Sequence, residues 1–129
     1  MSWSQFYERN ALMARIIDRA AADPDGALDF DADELAEVQR VFGDVDTLLL
    51  ALRHKWMTAL NAKLDQATYD GTPVEKARAD LARTMPGLRA VLDAAARRSV
   101  RLRSLEHGEK RMLDYFNGPN HPRRREVVA

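Results

Sequence analysis

Apolar residues recur at intervals of three and four along most of this chain, and no stretch alternates apolar and polar positions long enough to argue a strand. The spacing predicts an all-α protein of four to five helices, arranged as an antiparallel bundle. The first helix is expected from about Trp3 to Ala22. On a wheel of about 100° per residue, Trp3, Phe6, Tyr7, Met13, Ile17 and Ala21 share one face, with Asn10 in its middle. Asn at a seam position can fix register or oligomeric state; at the edge of a core it bonds backbone or water.

A second helix opens at a capping signal. Asp31 suits the N-cap, Glu34 follows three residues later, and Phe30 and Leu35 occupy the positions of a hydrophobic staple. Gly43 suits its C-terminus, and Asp44 or Asp46 can cap the next start. The third helix, to about Tyr69, is expected at the centre. Leu48, Leu49, Leu52, Trp56, Ala59, Leu60, Leu64 and Ala67 cover nearly half its circumference, a width that suits packing by several neighbours. Lys63 falls on that face and must snorkel or find a partner.

Asp70-Gly71 ends this helix, and Thr72-Pro73-Val74-Glu75 reads as a capped start with proline in the first turn. Met85-Pro86-Gly87 breaks or kinks the fourth helix. The stripe resumes at Leu88, Val91, Leu92, Ala95, Ser99 and Leu102. Six polar residues, 106–111, then precede Met112, Leu113 and Phe116. One helix over 87–116 would be about 45 Å long. A compact chain of this size has a radius of gyration of about 14 Å. Either Gly108 breaks that helix or its end overhangs and packs on something else. The expected organisation is one domain over 1–118 and a mobile basic tail over 119–129.

Charge changes the picture because it is sorted. The chain has 129 residues with 20 Lys+Arg against 20 Asp+Glu. Residues 1–50 carry 4 basic and 11 acidic residues, whereas residues 51–129 carry 16 basic and 9 acidic. Many of the acids stand where helix starts favour them: Asp31, Asp33, Glu34, Asp44 and Asp46. The arginines have less local cause. Arg97, Arg98, Arg101 and Arg103, with Arg123, Arg124 and Arg125 in the tail, are candidates for a partner or nucleic-acid surface, yet they are spread around the helix and lack interleaved aromatics. Acidic helix starts of the same chain, or of a second copy, are the first partners to expect for Arg97–Arg103. Arg outnumbers Lys 16 to 4, a usage that suits a GC-rich bacterial genome.

Asp23-Pro24-Asp25-Gly26-Ala27-Leu28-Asp29-Phe30 resembles the core of an EF-hand calcium loop when Gly26 is set on its glycine. That alignment puts Ala21 at the first ligand position and Ala32 at the bidentate twelfth, so both anchoring carboxylates are missing. A Pro-Asp-Gly turn before a capped helix explains the same residues. His54, His107 and His121 stand in no metal-binding spacing, and neither a phosphate loop nor a nucleophile elbow is present. With no cysteine there is no disulfide framework or thiolate. The longest strongly apolar run is too short for a membrane span, and the N-terminus lacks a signal-peptide pattern, so a cytoplasmic protein is expected.

These features point to a small helical protein–protein interaction module without catalysis, cofactor or metal. Its partner would be itself, as a homo-oligomer, or another protein to which it serves as adaptor or subunit. The candidate interaction aromatics are Trp3, Phe6 and Tyr7. The alternatives are a nucleic-acid-associated regulator using the arginines, and a divalent-cation binder built on loop 23–34.

Overall fold

The computed structural model describes residues 2–118; the expected tail, with His121 and Arg123–Arg125, lies outside them. Every regular element among the described residues is helical: α1 (Trp3–Ala22), α2 (Ala32–Phe42), α3 (Val45–Asp70), α4 (Val74–Thr84), α5 (Pro86–Arg98), α6 (Val100–Ser104) and α7 (Glu106–Asn117). None is long and apolar enough to cross a membrane.

Local chemistry accounts for most boundaries. Asp31 accepts the backbone N–H of Glu34 at 2.8 Å, and Asp44 accepts that of Thr47 at 2.7 Å. Gly43 and Gly71 end α2 and α3 at φ of 92° and 73°, a region that favours glycine. Ser2 and Gln5 close a reciprocal capping box on α1 that sequence reading missed. Two expected boxes are not formed. Glu34 turns away from its own helix start to pair with Arg19, and α4 begins at Val74 after Pro73 with no side-chain cap from Thr72.

The segment after α4 departs furthest from expectation. Neither a long helix over 87–116 nor a break at Gly108 occurs. Ser99 adopts an extended conformation and its Oγ accepts the Leu102 N–H at 3.3 Å; the chain turns again at Leu105. These two turns raise the count to seven segments and fold α7 back against α3 and α4. Gly108 lies inside α7, where a Cβ would sit 2.9 Å from the Arg53 guanidinium. That guanidinium donates to the Leu105 carbonyl at 2.9 Å, so Gly108 leaves room for the bond that holds the turn.

The central helix is α3. Leu48, Leu52, Trp56, Leu60 and Leu64 are almost fully buried, each contributing roughly 1.5–3 kcal/mol through removal from water. From α1 the core takes Leu12, Ile16 and Ala20. The expected core face of α1 is therefore displaced: Met13 and Ile17 are half-buried at its border, while Trp3, Phe6, Tyr7 and Ala21 are exposed. Pairs Arg15–Glu37, Arg19–Glu34 and Arg40–Glu8 tie α2 antiparallel along α1. On the other side α1 meets α5 so closely that a Cβ on Gly87 would lie 2.0 Å from the Ile17 carbonyl oxygen.

Candidate interaction site

The outer face of α1 is the most conspicuous unoccupied surface. Ser2 fixes the start of the helix, so the first two turns are rigid enough to hold side chains in place. Trp3, Phe6 and Tyr7 project there at 74%, 48% and 64% exposure. They pack on one another, with Trp3 stacked on Tyr7 and edge-to-face with Phe6, all at centroid separations of 5.9 Å. Asn10 Nδ2 donates to the Phe6 carbonyl at 2.9 Å, the backbone bond expected of an edge asparagine. Below them, Arg9 lies over the Phe42 ring and Arg40 pairs with Glu8 at 2.6 Å. This hydrogen-bonded contact with Glu8 pushes the Arg40 pKa further up.

The polar gap of residues 106–111 proves to be structural. Glu109 accepts the Trp56 indole N–H at 2.5 Å and lies 3.3–3.4 Å from the Arg78 guanidinium, with Arg89 at 3.8 Å. Both guanidinium groups also lie over the Trp56 ring, Arg89 at 4.6 Å and Arg78 at 5.6 Å from its centroid. One carboxylate thus joins α3, α4, α5 and α7. A signal for it existed: a tryptophan on the buried face of the central helix must find an acceptor for its N–H. The adjoining cavity, lined by Arg53, Trp56, Arg89 and Glu109, has a volume of about 40 Å³. That is room for a water or two, well below the ~300 Å³ of a small-molecule site.

The arginines of 97–103 do not gather into one face. Arg98 donates to Asp29 at 3.2 Å, and Arg103 donates to the Ala96 carbonyl at 3.2 Å. Asp44, the α3 cap, has its pKa lowered chiefly by the hydrogen bonds from Thr47, with a smaller contribution from the charge of Arg101. Arg97 borders a shallow depression shared with Asp25 and Asp93. Arg123, Arg124 and Arg125 lie outside the described residues.

Loop 23–34 uses its carboxylates internally. Asp23 accepts the Gly26 N–H at 3.2 Å, Asp29 meets Arg98, Asp31 caps α2 and Glu34 meets Arg19. Among the described residues no group of three or more His, Asp or Glu side chains could hold a metal ion. His54 and His107 stand apart and exposed. Compared with protein-family models, curated proteins and solved structures, the chain matches none.

Proposed function

We propose that this protein is a small, cytoplasmic, non-catalytic interaction module, an antiparallel helical bundle around α3 that docks through the outer face of α1. One observation carries the reading: three mutually packed aromatic side chains stand exposed on a capped helix end. Aromatic rings are the usual anchors of protein interfaces, and an apolar patch of this kind marks a contact site more often than chance. The rest of the surface supports it. In its basic segment Arg98 is answered by Asp29 and Arg103 by the Ala96 carbonyl, and the cavity beside Trp56 is too small for a small-molecule ligand.

The test is photo-crosslinking in the native cell, with benzoylphenylalanine in place of Tyr7 and, as a control, of the exposed Asp65. A discrete adduct from position 7 and none from position 65 is expected. A folded protein that yields no adduct at position 7, or the same adducts at both positions, overturns the reading. Duplex DNA should show no retardation in a low-salt gel, where phosphate contacts are strongest.

A further inference from the structure

The first helix carries two apolar stripes. Leu12, Ile16 and Ala20 enter the core. The second runs Trp3, Tyr7, Asn10, Ala14, Ile17, Ala21, at intervals of four, three, four, three and four. That alternation is the seam of a helix pair, where positions a and d meet a neighbour. Trp3, Tyr7, Ala14 and Ala21 are exposed, and Asn10 and Ile17 are half-buried, Ile17 partly covered by Gly87 of α5. Resting on the interaction-module reading above, we infer that the neighbour is a second copy of this chain, its α1 lying antiparallel with the two-fold axis level with Leu12, beside Ala11.

Size complementarity favours this arrangement. Antiparallel pairing sets Trp3 opposite the partner's Ala21, Tyr7 opposite the partner's Ile17 and Asn10 opposite the partner's Ala14. Each bulky or polar residue meets a smaller one. Parallel pairing would stack Trp3 on its own copy and Ala14 on its own copy, crowding one end and leaving a gap at the other. Asn10 already donates to the Phe6 carbonyl of its own helix, so opposite the partner's Ala14 it needs no acceptor across the seam.

Charge points the same way. The first turn of α1 holds no acidic residue, so the positive end of its dipole has no local counter-charge. Ser4, Ala11 and Asp18 border the seam, and Asp18 is the charged one. Antiparallel pairing places Ser4 beside the partner's Asp18, bringing a carboxylate to each bare helix start. Arg15, Arg19 and Glu8 point away, toward their ion pairs with α2.

The area suffices. Aromatic side chains bury about 150–250 Å² each, so at their observed exposures the three rings offer about 370 Å² per copy. Two copies supply more than half of the ~1,200 Å² of a stable interface, and the exposed Ala11, Ala14 and Ala21 lie along the remainder. Because α1 is already folded against α2 and α5, pairing needs little further ordering.

The test uses the full-length purified chain. Light scattering at about 100 μM should give twice the 14.6 kDa of the single chain. Ala14→Arg should weaken association on the order of 100-fold by placing bulk and charge in the seam. Ala62→Arg, on the exposed side of α3, should not. The chain has no cysteine, so single introduced cysteines report register. Ala11→Cys should oxidise to a covalent dimer, and Ala21→Cys should not, its copies being about 27 Å apart. Disulfides at both positions would establish a parallel pair and overturn the register. A strict monomer would overturn self-pairing, while the Tyr7 photo-adduct would then name a different protein and leave the module reading standing.

Discussion

The two tryptophans of this chain have opposite environments. Trp56 is 1% exposed, its indole N–H is bonded to Glu109, and its ring faces two guanidinium groups. Trp3 is 74% exposed and touches only aromatic neighbours of its own helix among its ring contacts. Around Trp56 the chain satisfies itself; around Trp3 it presents a surface. The same residue type therefore serves cohesion in one region and display in the other, and what decides between them is whether other helices close over it.

The strongest way to break that contrast is to remove the carboxylate at the hub. Glu109→Ala leaves Arg78, Arg89 and the Trp56 N–H without their shared acceptor in a largely buried place. Removing one partner of such a cluster should lower stability by about 2–4 kcal/mol in urea unfolding. Glu109→Gln keeps an acceptor for the indole and should cost about half as much. A loss under about 0.5 kcal/mol for the alanine variant would mean the hub does not hold α7.

Next in size is the crossing that fixes α1. Alanine normally gains about 1 kcal/mol over glycine inside a helix. At Gly87 the sign should reverse, because the added Cβ would press on the backbone carbonyl of Ile17, which cannot swing aside as a side chain can. Gly87→Ala should cost about 1–3 kcal/mol. It should also displace α1, and with it the aromatic face, while the indole fluorescence of Trp56 stays that of a buried ring. An unchanged or stabilised variant would place the helices further apart than described.

These two sites differ in how far a sequence can announce them. The all-helical class, the central role of α3 and the caps at Asp31, Asp44, Gly43 and Gly71 depend on neighbours a few residues apart, and they are readable as such. Asp44, which lies in the field of Arg101, was readable as a helix start and such starts as partners for the arginines, whereas Asp29, which receives Arg98, belongs to the loop before α2 and was not read as its partner. The hub joins residues 31 and 53 positions apart, and no local pattern pairs them. The turns at Ser99 and Leu105 follow from the return of α7 onto α3, a tertiary demand that overrides an apolar stripe continuous through Leu102. On α1 the single apolar face read from the wheel combined two faces: Leu12, Ile16 and Ala20 turn inward, and Trp3 and Tyr7 turn out. Periodicity counts apolar positions without saying which stripe a neighbour will cover.

A smaller effect sharpens the display side. Trp3→Ala should change unfolding stability by no more than about 0.5 kcal/mol when measured at dilutions where chains do not associate, because little of its ring is removed from water. The same substitution should abolish self-association. A stability loss above about 1 kcal/mol in the dilute monomer would move Trp3 to the cohesive side of the comparison.

The smallest effect concerns the charges that the chain answers internally. Asp44 caps α3 through Thr47 and lies in the field of Arg101, and its pKa is held below the ordinary carboxylate value, first by the Thr47 bonds and then by that charge. A carboxylate with a lowered folded pKa adds stability that is complete above the unfolded value of about 3.9 and disappears as pH falls through the folded one. Asparagine caps a helix about as well as aspartate, so Asp44→Asn removes the charge and keeps the cap. The variant should therefore be slightly less stable than the parent at pH 7, and the two should converge as pH falls below about 4. A difference that persists unchanged to pH 2 would show that Asp44 acts by shape alone. The proximity of Arg101 would then contribute nothing, and that arginine would return to the surfaces still awaiting a partner.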